Sequence, residues 1–166
     1  MIRKLLSITF LIALPLITVA AQQKPDFSGT WKLNVAKSDF GALPGPQSRT
    51  DVITHKDPSL SDSVTVESEE GKQQYTANYT TDGKEATNKI GTRDVKTAVK
   101  WSGSSLALSS KFTYEGADVA GESTWSLSAD GKVLTISIHY ASSIGETDQK
   151  LVYEKQESAT PAKPTP

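Results

Sequence analysis

Across residues 29–155 the chain alternates apolar and polar side chains with a period of two, and turn-forming residues interrupt the alternation every ~8–12 positions. Leu106, Leu108, Phe112 and Tyr114 fall on one parity, and Ala107, Ser109, Lys111 and Thr113 on the other. Successive side chains of an extended chain point to opposite faces, so such a segment has one face for an interior and one for water. The same separation holds for Leu134, Ile136, Ile138 and Tyr140 against Val133, Thr135, Ser137 and His139. It holds again for Val95, Val99 and Trp101 against Lys96, Ala98 and Lys100, while Tyr75, Ala77 and Tyr79 share a face.

The pattern predicts strands starting at Thr30 and over residues 49–55, 62–68, 73–80, 85–90, 95–101, 106–114, 122–128, 133–140 and 149–155. Asp82-Gly83 and Asp130-Gly131 read as hairpin turns, because Gly tolerates positive φ and Asp can bond its own turn backbone. Residues 36–41 read as a short helical turn ending at Gly41. Leu43-Pro44-Gly45-Pro46 reads as a loop or strap, since closely spaced prolines cannot serve a central ladder. The expected fold class is all-β, an antiparallel up-and-down β-barrel of about 8–10 strands, because closure removes the long edges that a flat meander would expose. A two-sheet β-sandwich is the alternative.

The ends differ in character. Arg3 and Lys4 precede a run without charge over residues 5–19, and Val19-Ala20-Ala21 offers the small residues of a cleavage site. Residues 1–21 are therefore expected to be a signal peptide, the run being shorter than the ~20 residues of a membrane span and interrupted by Pro15. Residues 22–155 then form a single domain, and residues 156–166, rich in proline, a disordered tail. Lys and Arg number 18 against 19 Asp and Glu, a balance that excludes a nucleic-acid partner held by a basic face. The chain has no cysteine, which removes disulfides, thiol nucleophiles, thiolate metal sites and a lipidated N-terminal cysteine. A periplasmic or extracellular monomer without a membrane span is expected after cleavage.

Asp26-Phe27-Ser28-Gly29-Thr30-Trp31-Lys32-Leu33-Asn34 resembles the opening of the lipocalin and fatty-acid-binding-protein group, the calycins, where Gly-x-Trp begins the first barrel strand. The longer stretch through Lys37-Ser38-Asp39-Phe40-Gly41 resembles exported bacterial lipocalin-like proteins. The resemblance implies that Gly29 and Trp31 mark the closed end of a barrel, with a basic residue of the last strand across the indole. The last strand offers Lys150 and Lys155 where the group has arginine, and Thr81-Asp82 and Thr147-Asp148 lack the tyrosine of the group's middle motif.

Catalytic patterns are absent. No Gly-x-Ser-x-Gly elbow occurs, and Ser102-Gly103-Ser104-Ser105 reads as a turn. The protein is therefore read as non-enzymatic and without a metal site. Of the two histidines, His55 reads as a surface residue at a strand end. His139 falls on a polar face; as an axial haem ligand it would need a bulge that turned it inward. Glu67, Glu69 and Glu70 surround a turn and read as solubilising, and Asn78-Tyr79-Thr80 matches a glycosylation acceptor. The remaining candidates are interior aromatics: Tyr75, Tyr79, Trp101, Phe112 and Tyr140 would line a barrel cavity and hold a small apolar molecule, with phenols to orient it. The competing expectation is a cell-envelope structural or interaction module whose barrel is filled.

Overall fold

The computed structural model describes residues 24–157. The expected signal peptide at residues 1–21 lies outside the described residues, as does most of the expected tail. The chain forms strands β1 (Gly29–Leu33), β2 (Ser48–Lys56), β3 (Ser59–Ser68), β4 (Gly71–Thr80) and β5 (Asp82–Ile90). These are followed by β6 (Arg93–Ser102), β7 (Ser105–Tyr114), β8 (Ala117–Leu127), β9 (Val133–Ser142) and β10 (Gly145–Gln156). The last strand runs into Gln156, one residue past the expected domain boundary.

All ten strands belong to one antiparallel sheet in the order β4-β3-β2-β1-β10-β9-β8-β7-β6-β5. Each strand after β1 neighbours its predecessor in sequence, apart from β5, and β1 closes the meander by pairing Thr30–Leu33 with residues 153–156 of β10. The result is an up-and-down barrel closed everywhere except between β4 and β5. Short turns suffice because antiparallel neighbours need no crossover.

The expected hairpin at Asp82-Gly83 does not form in the way the dipeptide suggests. Gly83 does take a positive φ of 85°, but it lies inside β5, where the register against β6 shifts between Asp82 and Glu85. The turn before it is tied across the barrel end instead: the Thr81 N–H donates to the Pro58 carbonyl at 2.8 Å, and the Thr81 hydroxyl donates to Asp57. With the turn held there, β4 and β5 diverge. At the turn the Thr80 hydroxyl donates to Asp82 at 2.6 Å, and farther along the gap Asn88 bridges the two strands. Asn88 accepts from the Asn78 N–H at 2.8 Å and donates from its amide to the Asn78 carbonyl at 3.0 Å, standing in for a backbone partner.

One barrel end is closed by a packed aromatic group. Trp31 and Phe27 are fully buried, the Trp31 indole N–H donates to the Phe27 carbonyl at 2.9 Å, and the Lys155 ammonium lies 5.2 Å from the indole centroid. Gly29 explains the first position of Gly-x-Trp: its φ is +145°, and a Cβ there would meet Lys155 Cε at 2.6 Å. The glycine therefore lets the lysine stem lie across the tryptophan. Lys150 has no such role; its backbone pairs with Asp39 on the rim.

His55 belongs to the same plug. It was expected at the surface, yet only 4 % of its side chain is exposed, because the segment before β1 folds across it. The Phe27 N–H donates to His55 Nδ1 at 3.3 Å, and the Phe27 and Trp101 rings lie 5.9 and 5.7 Å from the imidazole. Burial lowers the His55 pKa, with Asp26 and Asp57 opposing the shift. The opposite end carries the loop from β1 to β2. The short helical turn expected over residues 36–41 is a 3-10 turn at Val35–Lys37, after which Phe40 packs on the core and Gln149 donates to its carbonyl at 3.1 Å.

Candidate functional site

Between the plug and the strap the barrel encloses a cavity of about 290 Å³. Its walls differ. Val95, Leu108, Phe112, Trp125, Ile136 and Ile138, from β6 to β9, supply most of the apolar surface, with the hydroxyl residues Thr97, Ser110 and Ser123 set among them. Facing them, β2 to β4 contribute Arg49, Asp62, Tyr75 and Tyr79, and Tyr140 of β9 and Arg93 of β6 add polar groups on the remaining perimeter. A cavity lined by both apolar and polar side chains suits a molecule that is itself two-sided.

The polar wall follows from strand register. On β2 the inward parity runs Arg49, Asp51, Ile53, His55; on β3 it runs Leu60, Asp62, Val64, Val66. Ile53 pairs with Asp62, and Asp51 with Val64. On the other side of β3, Asp62 pairs with Ala77, and Val64 with Tyr75. The charges thus sit among core residues: Asp51 is fully buried and Asp62 is 4 % exposed.

Arg49 and Asp51 form a two-pronged pair, Nε to Oδ1 and Nη2 to Oδ2, each at 2.9 Å. The guanidinium also lies 5.8 Å from the Tyr153 ring. Asp62 has no such partner: its Oδ1 is buried without a hydrogen bond, as is the hydroxyl of Tyr153. Burial, then the charge of Asp51, push the Asp62 carboxyl up to about 7, with Arg49 opposing. Burial likewise raises Tyr75, Tyr79, Tyr140 and Tyr153, so these phenols stay neutral at ordinary pH.

Four of the expected interior aromatics, Tyr75, Tyr79, Phe112 and Tyr140, line this cavity. Tyr140 can do so because Gly121 faces it: a Cβ on Gly121 would stand 2.8 Å from the Tyr140 ring. Trp101 is a correction. It faces inward but at the closed end, where Phe27 lies 6.1 Å away and the indole N–H donates to Asp57 at 2.7 Å. Hydrogen bonds from Thr81, Trp101 and Lys24 hold Asp57 down at about 2. Trp101 is a tie of the plug, separate from the cavity lining.

Trp125 reaches the cavity, and strand parity alone would have placed it there. Arg49, Asp51 and Asp62 were also missed, although each shares the parity of apolar neighbours, Ile53 on β2 and Val64 on β3. His139 points outward and its Nδ1 lies 2.8 Å from Asp148 on the neighbouring strand; no histidine lines the cavity among the described residues. Among the described residues no cluster of His, Cys, Asp and Glu could hold a metal ion, and no helix is long and apolar enough to cross a membrane.

No family model matches the chain, and no curated protein matches it. Solved structures do. A secretory abundant heat soluble protein from Ramazzottius varieornatus superposes with a TM-score of 0.57 at 13 % identity, over 82 % of this chain and all of that one. Secretory abundant heat soluble protein 4 of the same organism gives 0.56 at 14 %, over 82 % and 99 %. Zebrafish ileal bile acid-binding protein, complexed with cholic acid, gives 0.55 at 14 %, over 78 % and 98 %. What these proteins share with the chain is the fold, an antiparallel up-and-down β-barrel.

Proposed function

We propose that this protein is an exported, non-enzymatic barrel that binds one small amphipathic molecule in its interior. The observation that carries the reading is the two-sided cavity of about 290 Å³. Its apolar wall would take the body of the ligand, and burial of that surface contributes ~25 cal/mol per Å² removed from water. Tyr75, Tyr79 and Tyr140, with Arg49 and Asp62, would orient its polar end. The charge-free run ending in Val19-Ala20-Ala21 and the absence of cysteine support export to a periplasm or exterior. The resemblance to exported bacterial lipocalin-like proteins belongs to the same reading.

Calorimetric titration with medium-chain alkyl compounds tests it. Binding should saturate near one ligand per chain and raise the unfolding free energy by ~2.7 kcal/mol at a hundredfold excess over Kd. Tyr79→Trp and Phe112→Trp should fill the cavity and weaken binding while the fold persists, whereas Lys111→Ala on the outer face should change nothing. Binding that never saturates, or that ignores the interior substitutions, would favour an envelope module acting through its surface. N-terminal sequencing of the protein from its own cells checks the export half: a start at Gln22 supports it, and an intact Met1 on membrane-embedded protein refutes it.

A further inference from the structure

Arg49 is the obvious cation with which the cavity could meet a ligand, but it is already engaged. Two of its nitrogens donate to Asp51 at 2.9 Å, which leaves that pair locally neutral. Asp62 adds a second carboxylate on the adjacent strand, 4 % exposed, lining the cavity and carrying an Oδ1 without a hydrogen bond. With Arg49 neutralised by Asp51, Asp62 is the carboxylate that β2 and β3 leave without a cation on this side of the cavity.

We infer that the cavity selects an amphiphile whose polar end is a protonated primary amine bound to Asp62, and that it discriminates against carboxylates. The inference rests on the carrier reading above and sharpens it. An ammonium brings three donors and no acceptor, so it can pair with the Asp62 carboxylate where that side chain lines the cavity and still donate to the neutral phenols beside it. A carboxylate at the same place would be a third like charge, facing an arginine whose fork is occupied, and would leave Asp62 unsatisfied. The raised pKa of Asp62 agrees with this: an ammonium beside the carboxyl would draw it into its charged form. Arg93 is the other cation of the lining. Its guanidinium, at the start of β6, lies 5.7 Å from the Phe112 ring and 5.2 Å from Tyr114, and it offers an anion its best seat.

Decylamine, 1-decanol and decanoate, each below its micellar concentration, are titrated calorimetrically into the purified protein and into Asp62→Asn at pH ~7.5. Decylamine should bind the wild type roughly tenfold or more tightly than decanoate, and Asp62→Asn should abolish that preference while decanol binding stays within about twofold. Asp62→Ser provides a second variant, with circular dichroism to establish that each is folded. Decanoate binding as tightly as decylamine would overturn the inference and point to Arg93 as the anchor. An amine preference that survives in both variants would overturn it too, as general attraction to an acidic chain. One-to-one binding without amine preference leaves the carrier reading standing; failure of all three probes to bind sinks both.

Discussion

Replacing Asp62 by Asn removes one proton-binding site from the barrel interior and leaves its shape almost unchanged. The Asp62 carboxyl stands at about 7 in the folded protein against 3.8 as its ordinary value, so between these limits the folded chain holds a proton that the unfolded chain has released. An acid with a raised folded pKa stabilises the fold below the unfolded pKa and loses that contribution as pH climbs through the folded one. The full span corresponds to about 4 kcal/mol at 1.36 kcal/mol per unit, and the part between pH ~5 and ~8 to more than half of it, about 3 kcal/mol. Asn does not titrate, so ligand-free Asp62→Asn should gain this amount on the wild type over that interval. The other groups facing Asp62 are Arg49, Asp51 and the phenols of Tyr75, Tyr79 and Tyr153, and all are present in both proteins. His55 has a lowered folded pKa; its contribution falls as pH drops below the ordinary histidine value, and it cancels in the difference. Urea unfolding at several pH values, extrapolated to water, gives the two curves. Parallel curves would show that Asp62 is solvated or paired and that the buried-carboxylate argument fails.

Two further substitutions probe the ends of the barrel. Trp31→Ala should cost about 3–5 kcal/mol, the range for truncating a buried aromatic, and lower the urea midpoint accordingly; an unchanged midpoint would make the Gly-x-Trp plug incidental. Asn88→Ala removes the amide that serves both backbone groups of Asn78. It should cost about 1–2 kcal/mol and speed hydrogen exchange at Asn78 selectively, a result absent if β4 and β5 hold together by other means.

The meander was legible because alternation fixes which residues face inward, and Val95, Leu108, Ile136 and Tyr140 follow it without exception. Closure was legible from the edge problem and from Gly29 and Trp31. The site was legible only where it is aromatic. Arg49, Asp51 and Asp62 lie on the same inward parity as Ile53 and Val64, but a charge on an apolar parity reads as a weak strand until its partners are known, and those partners come from register across β2, β3 and β4. The cases of Trp101 and His55 differ. Parity decides inside or outside, whereas position along the barrel axis, and therefore membership of plug or cavity, depends on the twist and stagger of all the strands together. The segment before β1 buried His55 through a long-range fold-back that no local pattern announces.

The amide bridge of Asn88 also sets the mechanics of the cylinder. Every other junction between neighbouring strands is a ladder whose bonds must break in concert, whereas β4 and β5 meet along a seam bridged by Asn88, with Thr80 bonded to Asp82 at its turn. Local opening follows the line of least backbone bonding, so the wall parts there, swinging on the Thr81 turn that stays tied to Pro58. Backbone amides along that seam should therefore exchange with solvent ahead of those in the ladders on either side.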